Sequence, residues 1–182
     1  QGPSGRVNSE EQYLARVANI NSLIQTDWSG ASGVDGPEID FGNNYSSASN
    51  LTLSTIGQMS LASTASNGSS TSSVIDTQSI SGAGYFNILW QGDALCTGCS
   101  VKFQIAASNS QSGPWTYYGP KSTSDYYIPN APNLAVPITY AGQYSASSAS
   151  VQNKRYIRYQ ITLVPASSQT PVVKDVIINY AP

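Results

Sequence analysis

Alternation of hydrophobic and polar residues marks the second half of the chain as β structure. Four long segments carry this pattern: GYFNILW (84–90), SVKFQIA (100–106), RYIRYQITLV (155–164) and PVVKDVIINY (171–180). A period of two is typical of a strand with one buried face. In the first segment the alternation places Phe86, Ile88 and Trp90 on the same face, and we predict that Trp90 belongs to the core.

Shorter segments of the same kind extend the β pattern back to residue 51. They occupy 51–63, 72–80 and 115–119, while a Ser/Thr/Gly-rich stretch at 62–73 and the proline-containing stretch 119–150 have the composition of connections. About seven to nine strands separated by turns, with no helical pattern after residue 27, predict a mainly β protein folded as an antiparallel β-sandwich.

The N-terminal part carries the only helical pattern. Residues 8–27 have apolar side chains at three- and four-residue spacing, and Glu10 and Glu11 lie in the first turn, where the helix dipole favours acids. We name the apolar side chains the assembly stripe: Tyr13, Leu14, Val17, Ile20, Leu23 and Ile24. The predicted amphipathic helix either packs on the domain behind it or continues an upstream apolar helix.

A polar segment joins the helix to the sandwich. The predicted division is a helix at 1–28, a connecting loop at 29–50 and a β-sandwich at 51–182. The loop contains four oxygen-bearing side chains that suit calcium: Asp35, Glu38, Asp40 and Asn43. Because their order differs from that of an EF-hand loop, an ordinary polar connection is favoured, and no cofactor is predicted.

The composition excludes several classes of function. Only 10% of the residues are charged, the formal net charge is −2, and histidine is absent. Without a basic patch, nucleic acid is not an expected partner. Without histidine, the commonest general base and most zinc sites are missing. The acids are scattered, so we predict a protein that is not an enzyme.

The two cysteines, Cys96 and Cys99, are spaced C-x-x-C between two predicted strands. Two cysteines without histidine cannot complete a zinc site, and a redox pair is expected at a helix N-terminus rather than before a strand. Thr97 and Gly98 are typical turn residues. We therefore predict a structural disulfide that closes the turn of a hairpin formed by 84–90 and 100–108.

Residues 72–180 contain sequence segments that resemble a module of bacterial surface and secreted proteins. The segments are SSVIDTQ, a strand ending LW, SVKFQIAASNSQSGPWTYYGP, TSDYY, NKRYIRYQITL and TPVVKDVIINY. This module resembles jelly-roll sandwiches of the galactose-binding or discoidin type, often found behind a prepilin-type segment. A helix followed by a β domain also resembles the layout of type IV pilin-like and pseudopilin-like ectodomains.

Aromatic residues near the middle of the chain are the candidate ligand site. Aromatic faces stack on sugar rings, and nearby amides and carboxylates bond their hydroxyls. The candidates are Trp115, Tyr117, Tyr118, Asp125, Tyr126 and Tyr127. The alternative is that these aromatics pack under their own loops or pair with the sheet.

Two functions are compatible with these features. The first is a non-catalytic structural or adhesive subunit of an extracellular filament on a bacterial surface, with copies of itself or related pilin-like subunits as partners. It contacts a membrane only through an upstream apolar helix. The alternative is a carbohydrate-binding module of a larger secreted protein, with glycans as its partners.

Overall fold

The computed structural model describes residues 21–25, 45–53, 58–63, 65–138 and 151–182, and within 21–25 only the side chain of Leu23. Its strands are β1 (Asn21–Gln25), β2 (Tyr45–Ser49), β3 (Leu51–Thr52), β4 (Ser60–Leu61), β5 (Gly68–Ser72), β6 (Ile75–Asp76), β7 (Gly84–Gly92), β8 (Ser100–Ser108), β9 (Val136–Pro137), β10 (Tyr156–Val164) and β11 (Val173–Ala181).

The strands form two main antiparallel sheets in a β-sandwich-like fold. The four-stranded sheet has the order β1-β11-β7-β9. The five-stranded sheet has the order β2-β5-β10-β6, and β8 pairs with β10. Strands β3 and β4 form a small separate pair. The prediction of a mainly β, antiparallel architecture is confirmed for these residues.

In the part of the chain that the structure describes, one apolar core lies between the two sheets. Ile88, Trp90 and Ile178 enter it from the four-stranded sheet, and Phe103 and Ile161 enter it from the five-stranded sheet; each is at most 1% exposed. All four predicted long strands are present, and Trp90 is buried as expected. The alternation of inward apolar residues in these strands therefore supplies both halves of the core.

Strands β7 and β8 do not form the predicted hairpin. Strand β7 pairs with β11 and β9 in one sheet, whereas β8 pairs with β10 in the other. Turn residues between two strands fit a hairpin and a sheet-to-sheet connection equally well. The two strands lie in different sheets because β8 pairs with β10 along its whole length, and β7 pairs with β11 along nearly all of its length.

The turn and the disulfide predicted at this connection are confirmed. Cys96 and Cys99 are bonded, with their Cα atoms 5.2 Å apart. The Cys99 amide donates to the Cys96 carbonyl at 2.9 Å, and Gly98 has a φ of 82°, a value that glycine adopts without strain. The cysteines close the turn through which the chain passes between sheets.

Replacing both Cys96 and Cys99 by Ser should lower the free energy of unfolding by about 2 kcal/mol, because the bond restricts only a short loop of the unfolded chain. Urea unfolding monitored by tryptophan fluorescence measures this change. Wild-type protein in reductant is the matched control and should show the same loss. An unchanged midpoint in reductant would contradict the prediction.

The predicted helix is wrong at its C-terminal end. Residues Asn21–Gln25 form strand β1, which pairs with β11 over five residues. Leu23, a member of the assembly stripe, is 1% exposed within the sandwich core. Pairing satisfies the backbone groups along the edge of β11, and this gain outweighs the local helical pattern. Ile24 lies in the same strand, and Tyr13, Leu14, Val17 and Ile20 lie outside the described residues.

Two further segments predicted as connections are strands. Residues Tyr45–Ser49, from the predicted 29–50 loop, pair with β5. Strand β5 itself, Gly68–Ser72, lies in the predicted 62–73 connection and pairs with β10. Both are serine-rich and carry little apolar alternation, so their β structure depends on their partners. The sandwich therefore begins before residue 51.

Phe86 lies on the opposite face from the one that alternation predicts. Along β11 the pairing passes from Asn179 to Tyr180, while along β7 it passes from Asn87 to Tyr85. The extra residue is Phe86, and this β-bulge reverses the alternation there. Phe86 is consequently 45% exposed.

Candidate ligand-binding face

The outward side of β10 presents a row of polar side chains. Ile157, Tyr159, Ile161 and Leu163 point into the core and are at most 1% exposed. The alternate residues on the outer side, all partly exposed, are Tyr156, Arg158, Gln160, Thr162 and Val164. The pattern visible in RYIRYQITLV thus produces one apolar and one largely polar face.

Neighbouring strands widen this row into a continuous surface. The register places Gln104 of β8 and Thr71 of β5 on either side of Gln160, and places Lys102 beside Thr162. The Gln160 amide nitrogen donates to the Thr71 hydroxyl at 3.2 Å. We name the surface formed by Arg158, Gln160, Thr162, Lys102 and Thr71 the Arg158 face.

The chain after β8 runs along the free edge of that strand. Tyr118 forms a two-way backbone bridge with Ile105, and Tyr127 forms one with Phe103. Gln104, which is 7% exposed, donates from its amide nitrogen to the carbonyls of Thr123 at 2.7 Å and Asp125 at 2.9 Å. The aromatic segment is therefore anchored to the rim of the Arg158 face.

Trp115 and Tyr117 lie at one end of this face. The Arg158 guanidinium carbon is 5.6 Å from the centre of the Trp115 ring, within cation–π range. Arg158 also donates from Nε and Nη2 to the Ser72 carbonyl at 3.0 and 2.9 Å, and from Nη2 to the Ser46 hydroxyl. Burial raises the pKa of Tyr117, and the nearby Arg158 charge opposes this.

Tyr126 lies at the other end. The Lys102 ammonium is 5.7 Å from the centre of its ring, and the residue is 39% exposed. Tyr126 also lines a shallow surface pocket of about 340 Å³ together with Pro120, Lys121, Ser124, Asp125 and Ile128. Each end of the Arg158 face thus combines a cation with an aromatic ring.

The six candidate ligand residues separate into three environments. Trp115 and Tyr117 lie beside Arg158, and Asp125 and Tyr126 line the pocket near Lys102. Tyr127 is 1% exposed in the core, where burial raises its pKa to about 12. Tyr118 is partly buried and packs against the core. These two residues follow the alternative, because their backbones pair with strand β8 of the sheet.

Sequence reasoning missed the polar members of the Arg158 face. The signal was present in part, because alternation in 155–164 places Arg158, Gln160 and Thr162 on one side of the strand. Nothing in the sequence indicated that Lys102 and Thr71 would flank them, since those residues belong to distant segments joined only by sheet register.

Arg155 and Lys174 form ion pairs outside this face. Arg155 donates from Nε and Nη2 to both carboxylate oxygens of Asp76, at 2.7 and 2.8 Å. This hydrogen-bonded pair holds the pKa of Asp76 below its usual value. Lys174 contacts Asp93 at 2.7 Å.

The predicted calcium ligands Asp35, Glu38, Asp40 and Asn43 lie outside the described residues. Across the described ranges no group of His, Cys, Asp or Glu could hold a metal ion.

No protein-family model matches this chain, and no curated protein matches it significantly. Within the part of the chain that the structure describes, no helix is long and apolar enough to cross a membrane.

Proposed function

We propose that this chain is a non-catalytic extracellular domain that binds carbohydrate through the Arg158 face. The observation that carries the proposal is the position of Trp115 and Tyr117 at the edge of an outward sheet surface rich in amides and hydroxyls. Rings of this kind pack against the apolar faces of sugars, and the flanking polar groups bond their hydroxyls.

The shape of the surface favours a glycan chain over a small isolated ligand. The row from Arg158 through Gln160 to Thr162 follows strand β10 and is accompanied by Thr71 and the exposed Ser69 of β5. These residues form an extended sheet surface rather than a closed cavity. Such a surface suits successive sugar units laid along the strand.

An extracellular location is supported by the disulfide. Disulfides persist in oxidising compartments, and the Cys96–Cys99 bond is intact here. The low content of charged residues and the many hydroxyl side chains agree with a secreted or surface-exposed protein. The bacterial cell surface and the galactose-binding type of jelly roll, both implied by resemblance, remain part of the proposal.

The burial of Leu23 favours the carbohydrate-binding module over the filament subunit. A filament-docking stripe must present its apolar side chains to neighbouring subunits, whereas Leu23 is 1% exposed within the core of its own domain. The filament proposal now depends on Tyr13, Leu14, Val17 and Ile20, which lie outside the described residues. An adhesive role is compatible with glycan binding.

Trp115→Ala should weaken glycan binding about tenfold, because the substitution removes the ring on which a sugar would stack, a loss of about 1.4 kcal/mol. A glycan array identifies the ligands, and isothermal titration calorimetry on the best of them measures the change. Phe86→Ala is the matched control, since Phe86 is an exposed aromatic of the four-stranded sheet. The Phe86→Ala variant should bind the glycan with the affinity of the wild type.

Two results would count against the proposal. An array on which no glycan binds the protein would contradict the proposal of carbohydrate binding. Equal losses of glycan affinity for Trp115→Ala and Phe86→Ala would show that the glycan does not bind at the Arg158 face.

A further inference from the structure

We infer that the glycan bound by the Arg158 face is acidic, with carboxylate or sulfate groups that pair with Arg158 and Lys102. This inference rests on the proposed carbohydrate-binding function and specifies its ligand class. It follows from the way in which the charges of this face are partnered.

Arg158 and Lys102 differ from the paired cations elsewhere in the fold. Arg155 and Lys174 each lie 2.7 Å from an aspartate oxygen. Arg158 instead contacts a carbonyl, a hydroxyl and the Trp115 ring, and Lys102 contacts the Tyr126 ring. Within the described ranges, no carboxylate forms an ion pair with either of them. Their positive charge is therefore available to a ligand.

The positive character of this face is local. The chain as a whole has a formal net charge of −2, so Arg158 and Lys102 are not part of a generally basic surface. The carboxylate of Asp125 lies near the Lys102 end, and Lys121 lines the same pocket, so the formal charges of these two residues sum to zero. At the opposite end Asp76 is neutralised by Arg155. The ligand consequently meets two net positive charges.

Arg158 is held in place and can offer Nη1 to an anion. Its Nε and Nη2 groups are held by Ser72 and Ser46, and its Nη1 group has no partner among the described residues. A guanidinium that is already fixed loses little side-chain entropy when it binds a carboxylate or sulfate. The Trp115 ring beside it provides the apolar contact for the sugar that carries the anion.

The spacing of the two cations points to a polymer. Lys102 is opposite Thr162, four residues along β10 from Arg158. A rise of about 3.3 Å per residue separates these positions by about 13 Å along the strand. A monosaccharide does not reach both, whereas a chain with acidic groups on several units does, and Gln160 and Thr71 lie between them to bond its hydroxyls.

The experiment compares polymers that differ only in charge. Polygalacturonate is tested against its fully methyl-esterified form, and dextran sulfate against dextran, by calorimetry at low and high salt. The acidic member of at least one pair should bind at least tenfold more tightly than its neutral partner. The difference should shrink at high salt, because ions screen exposed charges.

Variants locate the effect on this face. Lys102→Gln and Arg158→Lys should each weaken binding of the acidic polymer several-fold and reduce its preference over the neutral polymer. Lys102→Gln does not depend on the backbone contacts of Arg158, so it tests the proposal even if changes at Arg158 affect folding. Lys174→Gln, which removes the same charge from the four-stranded sheet, is the control and should bind normally.

The outcomes separate the two proposals. Equal affinity for acidic and neutral polymers would overturn the acidic-glycan inference and leave carbohydrate binding standing. Equal losses for Lys174→Gln and Lys102→Gln would also overturn it, because the attraction would then be unspecific. Failure to bind any glycan, acidic or neutral, would overturn both.

Discussion

Leu23→Ala should lower the free energy of unfolding by about 2–5 kcal/mol, the usual result of removing a buried leucine side chain from a core. Leu23 is 1% exposed and belongs to the core cluster, although it lies at the far N-terminal end of the described chain, in edge strand β1. Urea unfolding with both fluorescence and circular dichroism measures the change and tests whether unfolding remains cooperative.

Leu134→Ala is the matched control for this experiment. It removes the same atoms from a leucine that is 48% exposed, so the expected change is within about 0.5 kcal/mol. If residues 8–27 formed a helix that used its apolar stripe to contact other subunits, Leu23→Ala would leave the isolated domain as stable as the control. That outcome would contradict the placement of β1 in the sandwich.

Gly92→Ala should destabilise the fold by about 3 kcal/mol, at the upper end of the range for overpacked sites. A Cβ atom at this position would overlap the carbonyl oxygen of Val172 and lie 2.9 Å from Cζ3 of Trp90. The first obstacle is backbone, and the second is a fully buried indole. Neither can move without disturbing the pairing of β7 with β11, so thermal and urea unfolding should both show the loss.

Gly84→Ala provides the control within the same strand. Among the described residues, the atom that comes within 4 Å of a Cβ there is Oε1 of Gln152, at 3.8 Å, an ordinary van der Waals distance. The free energy of unfolding of Gly84→Ala should therefore stay within about 0.5 kcal/mol of the wild-type value. Equal losses at Gly84 and Gly92 would show that the cost comes from strand propensity in general and not from the close approach of Val172.

The fold was predictable from sequence where alternation is long and regular. Strand β8 has the predicted bounds, and β10 begins one residue after the predicted segment. Alternation failed at Phe86, where a bulge reverses the face, and in Tyr45–Ser49, whose serines carry little apolar signal. Both features depend on the partner strand, which a local pattern does not contain.

The sequence predicted the region of the chain that carries the candidate site, but not which residues form it. Residues 115–127 do line the rim of an outward surface, but Tyr127 is a core residue because a backbone bridge to Phe103 fixes its side chain inward. Arg158 and Lys102 were missed because their proximity to Trp115 and Tyr126 arises from contacts between segments far apart in the chain.

By itself, the sequence determined the β class, the long strands with their apolar faces, the Thr97–Gly98 turn and the pairing of the two cysteines. Each of these depends on neighbouring residues, because side-chain alternation, turn conformation and a C-x-x-C spacing are local properties. Only the tertiary structure decided that β7 and β8 belong to different sheets, that residues 21–25 form a strand, and that Arg158 meets Trp115. These outcomes depend on which distant segments together satisfy the most backbone hydrogen bonds and bury the most apolar surface.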